Sequence, residues 1–300
     1  MTGTIFDAHC DTISELLDKN LRFEKNDMHI DMERLCQYPS YTQVFAAFVA
    51  PEYRDCAMER TLCILEKFHR EAAQNGITVC KSYSDWENAK TNVKAFLSIE
   101  GGEAISSLAD LERLYELGVR MIAPTWNFRN HIACGVMESE DTGLTPFGRE
   151  LIREMNRLGI IIDVSHLSQK SFWDICDISQ KPVCASHSNS RSVKNHPRNL
   201  TDEQFVKIKE MGGVVGINFY PPFLGDDISD ATRHIERFLS LGGEDNIGLG
   251  SDFDGVDSLP GGMCGVQDMG RFMEMLPYSV EIKEKIAFRN FLRVIKAHNC

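Results

Sequence analysis

Two short apolar runs in this chain end in the same dipeptide. Ile160-Ile161-Ile162-Asp163-Val164-Ser165-His166 and Pro182-Val183-Cys184-Ala185-Ser186-His187 both finish on Ser-His, with residues 167–180 between them. An imidazole can bind a divalent metal through a neutral ring nitrogen, or exchange protons near neutral pH. A lone histidine at the end of such a run is ordinarily a satisfied structural residue, so it is the repetition that points to a metal site or an acid/base pair. Four more residues of the same kind end apolar runs elsewhere. His9 and Asp11 close the run that begins at Ile5, Glu100 closes 94–100 just before Gly101-Gly102, and Asp252 lies at the end of 246–253. Imidazoles together with carboxylates suit zinc or a similar divalent ion, and a carboxylate can bridge two ions. Even five of these six as ligands exceed what one open tetrahedral ion needs, which favours two. Two ions roughly 3.5–4 Å apart can share a hydroxide as nucleophile and polarise a carbonyl.

Each of these residues also has a plain reading. His9-x-Asp11 could be a helix N-cap with a neighbouring histidine. Glu100 could be an exposed turn residue, and Asp252 and Asp254 could be turn acids around Gly255. His29, His69, His234 and His298 fall in polar or helical contexts and read as surface residues, while His196 lies in a loop beside Arg198. The plain readings fail jointly rather than singly, because all six candidates stand at the ends of apolar runs.

The elements that must position them follow from the pattern. The runs ending at His166 and His187 are continuous and β-branched, as in fully buried strands, and residues 167–180 suit a crossover helix. Parallel strands joined in this way point both histidines to one face. Further strands read at 5–11, 44–50, 94–100, 119–126, 213–220 and 246–253, making eight. Helical patterns occupy 12–19, 52–75, 108–117, 145–158, 201–212, 229–241, 266–275 and 279–298. Eight strand–helix repeats predict a (β/α)8 TIM barrel, a single domain over 1–300 with C-terminal helices, whose site lies at the carboxyl ends of the strands. The alternative, a doubly wound open sheet, loses its main support because no Gly-x-Gly-x-x-Gly follows the first strand.

Composition bounds the rest. With 43% hydrophobic residues in 300, a large core can be buried. A net charge of −12 argues against a nucleic-acid partner. No apolar run reaches the length of a membrane span, and the start of the chain lacks the basic and apolar regions of a secretory signal, so a cytoplasmic setting is expected. The ten cysteines then read as reduced thiols, with Cys10, Cys80 and Cys184 acting as small hydrophobes. No Cys-x-x-Cys occurs.

With these residues in hand, the chain resembles the membrane dipeptidase (renal dipeptidase-like) family of zinc hydrolases, in the metal-dependent amidohydrolase superfamily. The resemblance rests on Asp7-Ala8-His9-Cys10-Asp11, Ser98-Ile99-Glu100-Gly101, Asp163-Val164-Ser165-His166, Ser186-His187-Ser188-Asn189-Ser190-Arg191, Asn195-His196-Pro197-Arg198-Asn199, 212–219 and Gly250-Ser251-Asp252-Phe253-Asp254-Gly255. It implies that His9, Asp11 and a bridging Glu100 bind one Zn2+, that Glu100, His166 and His187 bind a second, and that Asp252 shuttles the proton. It also implies that Arg198 grips the terminal carboxylate of a dipeptide, a task that a guanidinium fork suits. One departure stands out. The mammalian members carry a histidine after threonine at the end of strand four, in contact with the substrate carbonyl, and here Thr125 is followed by Trp126. His131, five residues further along, is a candidate substitute. The expectation is a dizinc dipeptidase without a membrane anchor, with a homodimer as a candidate assembly. The competing readings are another binuclear amidohydrolase acting on lactones or N-acyl amino acids, and a non-enzymatic binding barrel. A substrate panel separates the first, and bound metal with turnover the second.

Overall fold

The computed structural model describes residues 3–298. Eight parallel strands follow one another around a nearly closed barrel: β1 (Thr4–Cys10), β2 (Ser40–Phe48), β3 (Val93–Glu100), β4 (Val119–Ala123), β5 (Ile161–Ile162), β6 (Cys184–Ala185), β7 (Val214–Ile217) and β8 (Ile247–Leu249). The ladder runs continuously from β5 back through β1 to β8, β7 and β6. A single parallel bridge, Asp163 to Cys184, joins β5 to β6 across the remaining gap. A short strand, Thr78–Val79, flanks β3 outside the ring. This is the (β/α)8 architecture expected from eight strand–helix repeats.

Helices follow the strands: α1 (Thr12–Asp18), α2 (Ala57–Asn75), α3 (Leu108–Glu116), α4 (Pro146–Leu158), α5 (Gln169–Ile178), α6 (Asp202–Glu210) and α7 (Ala231–Ser240), then α8 (Met269–Met275), α9 (Val280–Glu284) and α10 (Asn290–Ala297). Their ends carry the sequence signals that stop and start helices. Thr145 caps α4 ahead of Pro146, and Gly159 ends it in the left-handed conformation. Thr201 and Gln204 form a reciprocal capping box at the start of α6. Among the described residues no helix is long and apolar enough to cross a membrane.

Alternation of side chains along each strand divides the core in two. Phe6, Ala8, Val44, Phe96, Met121, Ile161, Cys184 and Val214 form an inner cluster with Phe291, Leu292, Val294 and Ile295 of α10. Phe291 stacks on Phe6 with ring centroids 5.4 Å apart, so the last helix plugs the barrel at the end opposite His9. The other faces of the strands pack on the helices.

Several boundaries differ from the sequence reading. β2 begins at Ser40, four residues early, because Tyr41, Thr42 and Gln43 are buried polar-edged residues in register with β3. β5 and β6 are only two residues long, since their Ser-His ends leave the ladder to enter the site. The helix read at 52–75 starts as a 3-10 turn, Pro51–Cys56. The one read at 279–298 is broken by a π turn, Lys285–Arg289.

Candidate metal centre and its cleft

All six candidate residues stand at the carboxyl rim. His9 is the penultimate residue of β1 and Glu100 the last of β3. Asp11 occupies the N-cap position of α1 but makes no capping bond, so the plain reading as a helix cap fails. Glu100 is buried rather than an exposed turn residue. His166 and Asp252 adopt positive φ angles of 68° and 63°, which non-glycine residues seldom do. Backbone held there needs support from its surroundings and commonly marks functional positions.

Glu100 divides its two oxygens. Its Oε2 lies 3.4 Å from His9 Nε2, which is also 3.4 Å from Asp11 Oδ2. Its Oε1 lies 2.8 Å from His166 Nε2 and 3.6 Å from His187 Nε2. One carboxylate therefore faces two imidazole-bearing shells. Asp252 Oδ1 is 3.9 Å from His9 Nε2, beside the His9–Asp11 pair.

The outer ring nitrogens are fixed by the protein. Ser186 Oγ donates to Asp163, which leaves it to accept from His187 Nδ1 at 2.7 Å. Asn127 Oδ1 accepts from His166 Nδ1 at 2.8 Å. With both protons on the outer nitrogens, two Nε2 lone pairs face each other at 2.8 Å beside a carboxylate. Such partners lack a proton to share and match a cation. His9 Nε2 and Asp11 Oδ1 are buried without a hydrogen-bond partner. A Cβ on Gly255 would reach within 2.2 Å of Asp11 Oδ2 and 2.6 Å of Asp252 Oδ1, so a bare glycine backbone lies close against these two carboxylates.

The electrostatics agree. Burial, then repulsion from Glu100, pushes Asp11 up to about 8. Burial also raises Asp252. Burial opposes ionisation of Glu100, but His9 and His166 overcome it and hold that carboxyl well below its usual range. Burial, then the Arg198 charge, depresses His166 to about 4. Burial, with His9 and Arg198 adding to it, holds His187 well below its ordinary value. Burial opposes protonation of His9, but Glu100 and Asp11 overcome it and hold that imidazole well above its ordinary value. The neutral imidazoles are therefore His166 and His187, and a divalent cation would take over the neutralisation of the crowded carboxylates.

The profile of the membrane dipeptidase family, peptidase family M19, matches residues 2–299. The chain belongs to the membrane dipeptidase family. An uncharacterized protein in the pqqA 5′ region of Klebsiella pneumoniae is 37% identical over 255 residues, 78% of this chain and 93% of that one. An uncharacterized dipeptidase of Schizosaccharomyces pombe, C3A11.10c, is 36% identical over 222 residues, 69% of this chain and only 54% of the yeast protein. Among solved structures, dipeptidase AC, a metallopeptidase of family M19, superposes with a TM-score of 0.92 at 28% identity, covering 100% of this chain and 99% of that one. A Rhodobacter sphaeroides metallopeptidase, liganded with a phosphinate mimic of the dipeptide L-Ala-D-Ala, gives 0.90 at 27% identity, covering 98% and 99%. The chain is thus an enzyme of a metallo-dipeptidase family, and the donor set fits the divalent metal that family implies.

In this M19 enzyme the rim opens into a cleft of about 500 Å3 whose lining includes Asp11, Glu100, Trp126, Asn127, His166, Arg198 and Asp252. Arg198 is buried, with Nη2 2.9 Å from His166 Nε2. Trp126 forms an aromatic wall with Phe48, ring centroids 5.4 Å apart. His131 does not line this cleft. Its Nε2 lies 2.7 Å from the Ile105 carbonyl and its ring stacks on Phe147, so the suggested substitute for the strand-four histidine is corrected.

The four histidines read as surface residues are corrected too. His234 is fully buried, accepting from Ser190 N and bonded through Nε2 to the Leu224 carbonyl. His298 is buried against α10, with Nδ1 2.9 Å from the Val294 carbonyl. His29 Nδ1 accepts from Asp254 N, and half-buried His69 bonds the Leu117 carbonyl. His196 orients Arg198 by accepting its backbone N–H at 3.1 Å.

Sequence reasoning assigned no role to the groups that aim the rim residues. Asn218 Nδ2 donates to Asp252 Oδ2 at 2.8 Å, and Asp7 accepts from both Ser251 N and Ser251 Oγ. Asp163 does the same for Ser186. Asp7 stands two residues before His9 and Asp163 three before His166, which was the available signal, whereas no aspartate precedes His187 in this way.

Proposed function

We propose that this chain is a dipeptidase that hydrolyses the amide bond of dipeptides with two Zn2+ ions. The observation that carries this reading is Glu100, whose two oxygens face separate imidazole shells, next to a buried arginine in the same cleft. His9, Asp11 and Glu100 would hold one ion, and Glu100, His166 and His187 the other. Such a pair supplies Lewis acidity toward the amide carbonyl and a water acidified for attack.

The chain's own residues do the rest. Arg198 binds the free carboxylate of the substrate and fixes where the scissile amide lies, converting binding into orientation. Asn218 occupies Asp252 Oδ2, which leaves Oδ1, the oxygen turned toward His9, to take the proton of the attacking water. The same oxygen then delivers that proton to the leaving amine. Burial of Asp252, which raises its affinity for a proton, suits both halves of the task. The aromatic wall of Trp126 and Phe48 limits water on one side of the cleft.

The test is elemental analysis of purified protein with a panel of dipeptides, lactones and N-acyl amino acids. The expected result is two divalent ions per chain and turnover of dipeptides, lost on chelation and regained with zinc. Full activity with at most one tightly held ion would sink the binuclear reading. Preference for a substrate lacking a carboxylate would shift the reaction to the lactonase alternative.

A further inference from the structure

Attack on an amide places negative charge on the carbonyl oxygen, and fixed donors aimed at that atom are a large part of catalysis in such sites. The strand-four position expected to supply one is Trp126, whose ring packs against Phe48 and Phe128. The proposed function assigns Arg198 to the substrate carboxylate, and His131 is turned to the Ile105 carbonyl.

We propose that Asn127 donates a hydrogen bond from its side-chain amide to the scissile carbonyl as charge develops there. Asn127 lines the cleft next to His166. Because its Oδ1 accepts from His166 Nδ1 at 2.8 Å, the amide cannot flip without losing that bond, and Nδ2 is left as the donor. No acceptor among the described residues engages Nδ2.

The main chain is held as firmly. Asn127 O accepts from Met137 N at 2.8 Å, and His166 O accepts from Val136 N at 2.7 Å, so one short segment ties donor and ligand together. Gly135 between them lies so close that a Cβ would sit 2.3 Å from Trp126 O and 2.5 Å from Asn127 O. A donor held in this way needs no reorganisation during the reaction.

This inference rests on the dipeptidase reading, and wild-type turnover tests that reading separately. The experiment compares wild type, Asn127→Asp and Asn127→Ala, each loaded with excess zinc, by metal content, steady-state kinetics on one dipeptide, and inhibition by a phosphinate mimic of that dipeptide. The Asn127→Asp variant would keep an acceptor for His166 but lose the donor. The expected result is a kcat lower by ~10²–10³-fold in both variants, with full metal and KM changed little. The phosphinate, which carries the tetrahedral oxygens, should weaken by a similar factor, while product inhibition stays constant. Wild-type kcat in either metal-loaded variant would overturn the proposal. So would a loss confined to Asn127→Asp, which would reflect its charge, or one expressed in KM and product binding, which would make Asn127 a carboxylate-binding group. An activity loss that tracks metal loss and is reversed by more zinc would reduce it to a positioning residue for His166. Metal-loaded wild type that hydrolyses no dipeptide would remove the underlying reading, and the inference with it.

Discussion

At the scale of single residues, two side chains in the cleft have separable tasks. Asp252 lies within reach of the His9–Asp11 shell, so ligation and proton transfer predict different consequences of Asp252→Asn. An amide keeps the shape and can retain the contact with Asn218, but cannot carry the proton. The expected outcome is a kcat lower by ~10²–10⁴-fold with metal content and KM close to wild type. Metal analysis on the same preparation decides, because loss of an ion would make Asp252 a ligand. Arg198→Ala should instead act on binding. A charge-assisted hydrogen bond contributes roughly 1.5–3 kcal/mol, so KM for dipeptides should rise by about 10–150-fold. The check is a dipeptide amide. If wild type hydrolyses it as well as the free acid, the carboxylate contact is absent.

At the scale of elements, the short strand β6 places its histidine through close backbone packing. A Cβ on Gly250 would lie 1.8 Å from the Ser186 carbonyl oxygen, and one on Gly216 would lie 2.0 Å from it. The obstructing atom is main chain directly before His187 and cannot swing aside. Gly250→Ala should therefore cost about 1–3 kcal/mol or more, measured by urea unfolding, and should weaken metal binding by displacing His187. Thr201→Ala is the contrast. It removes the capping box of α6, neither residue of which is a candidate ligand, and should cost ~1 kcal/mol with metal content unchanged. Equal loss of metal affinity in both variants would contradict a local role for Gly250.

For the whole molecule, buried neutral histidines couple stability to pH. Burial holds His298 down to about 4 against an ordinary 6.5, and it also lowers His234. Between those values the unfolded chain binds a proton that the folded site refuses. Stability present above pH 6.5 is therefore lost as pH falls toward 4. For His298 the loss between about pH 7 and pH 5 is on the order of 2 kcal/mol. Chemical unfolding of wild type and His298→Gln at the two pH values tests it, because the metal ligands respond alike in both proteins and cancel in the difference. An identical pH dependence would show that His298 is protonated in the folded state as readily as in the unfolded one.

The barrel and its rim were legible in the order of residues alone. Continuous apolar runs alternating with amphipathic ones permit little besides a parallel sheet wrapped by helices, and a residue that ends such a strand is carried to the functional face whatever the loops do. His9, Glu100, His166, His187 and Asp252 could be picked out for that reason. Whether a histidine in a helix or loop is buried could not be read, since it depends on what packs over it. His234 disappears beneath Ser190 and Leu224, which lie 44 and 10 residues away. His131 shows the same limit in the other direction, because five residues of loop separate it from Trp126 and only the folded path of that loop turns its ring to Ile105. The pairing of Asn127 with His166, 39 residues apart, and of Asn218 with Asp252, 34 apart, likewise exists only in the folded chain. A hydrogen bond between neighbouring strand ends joins residues that the intervening helix keeps distant in sequence, and no local pattern records which side chain will face which.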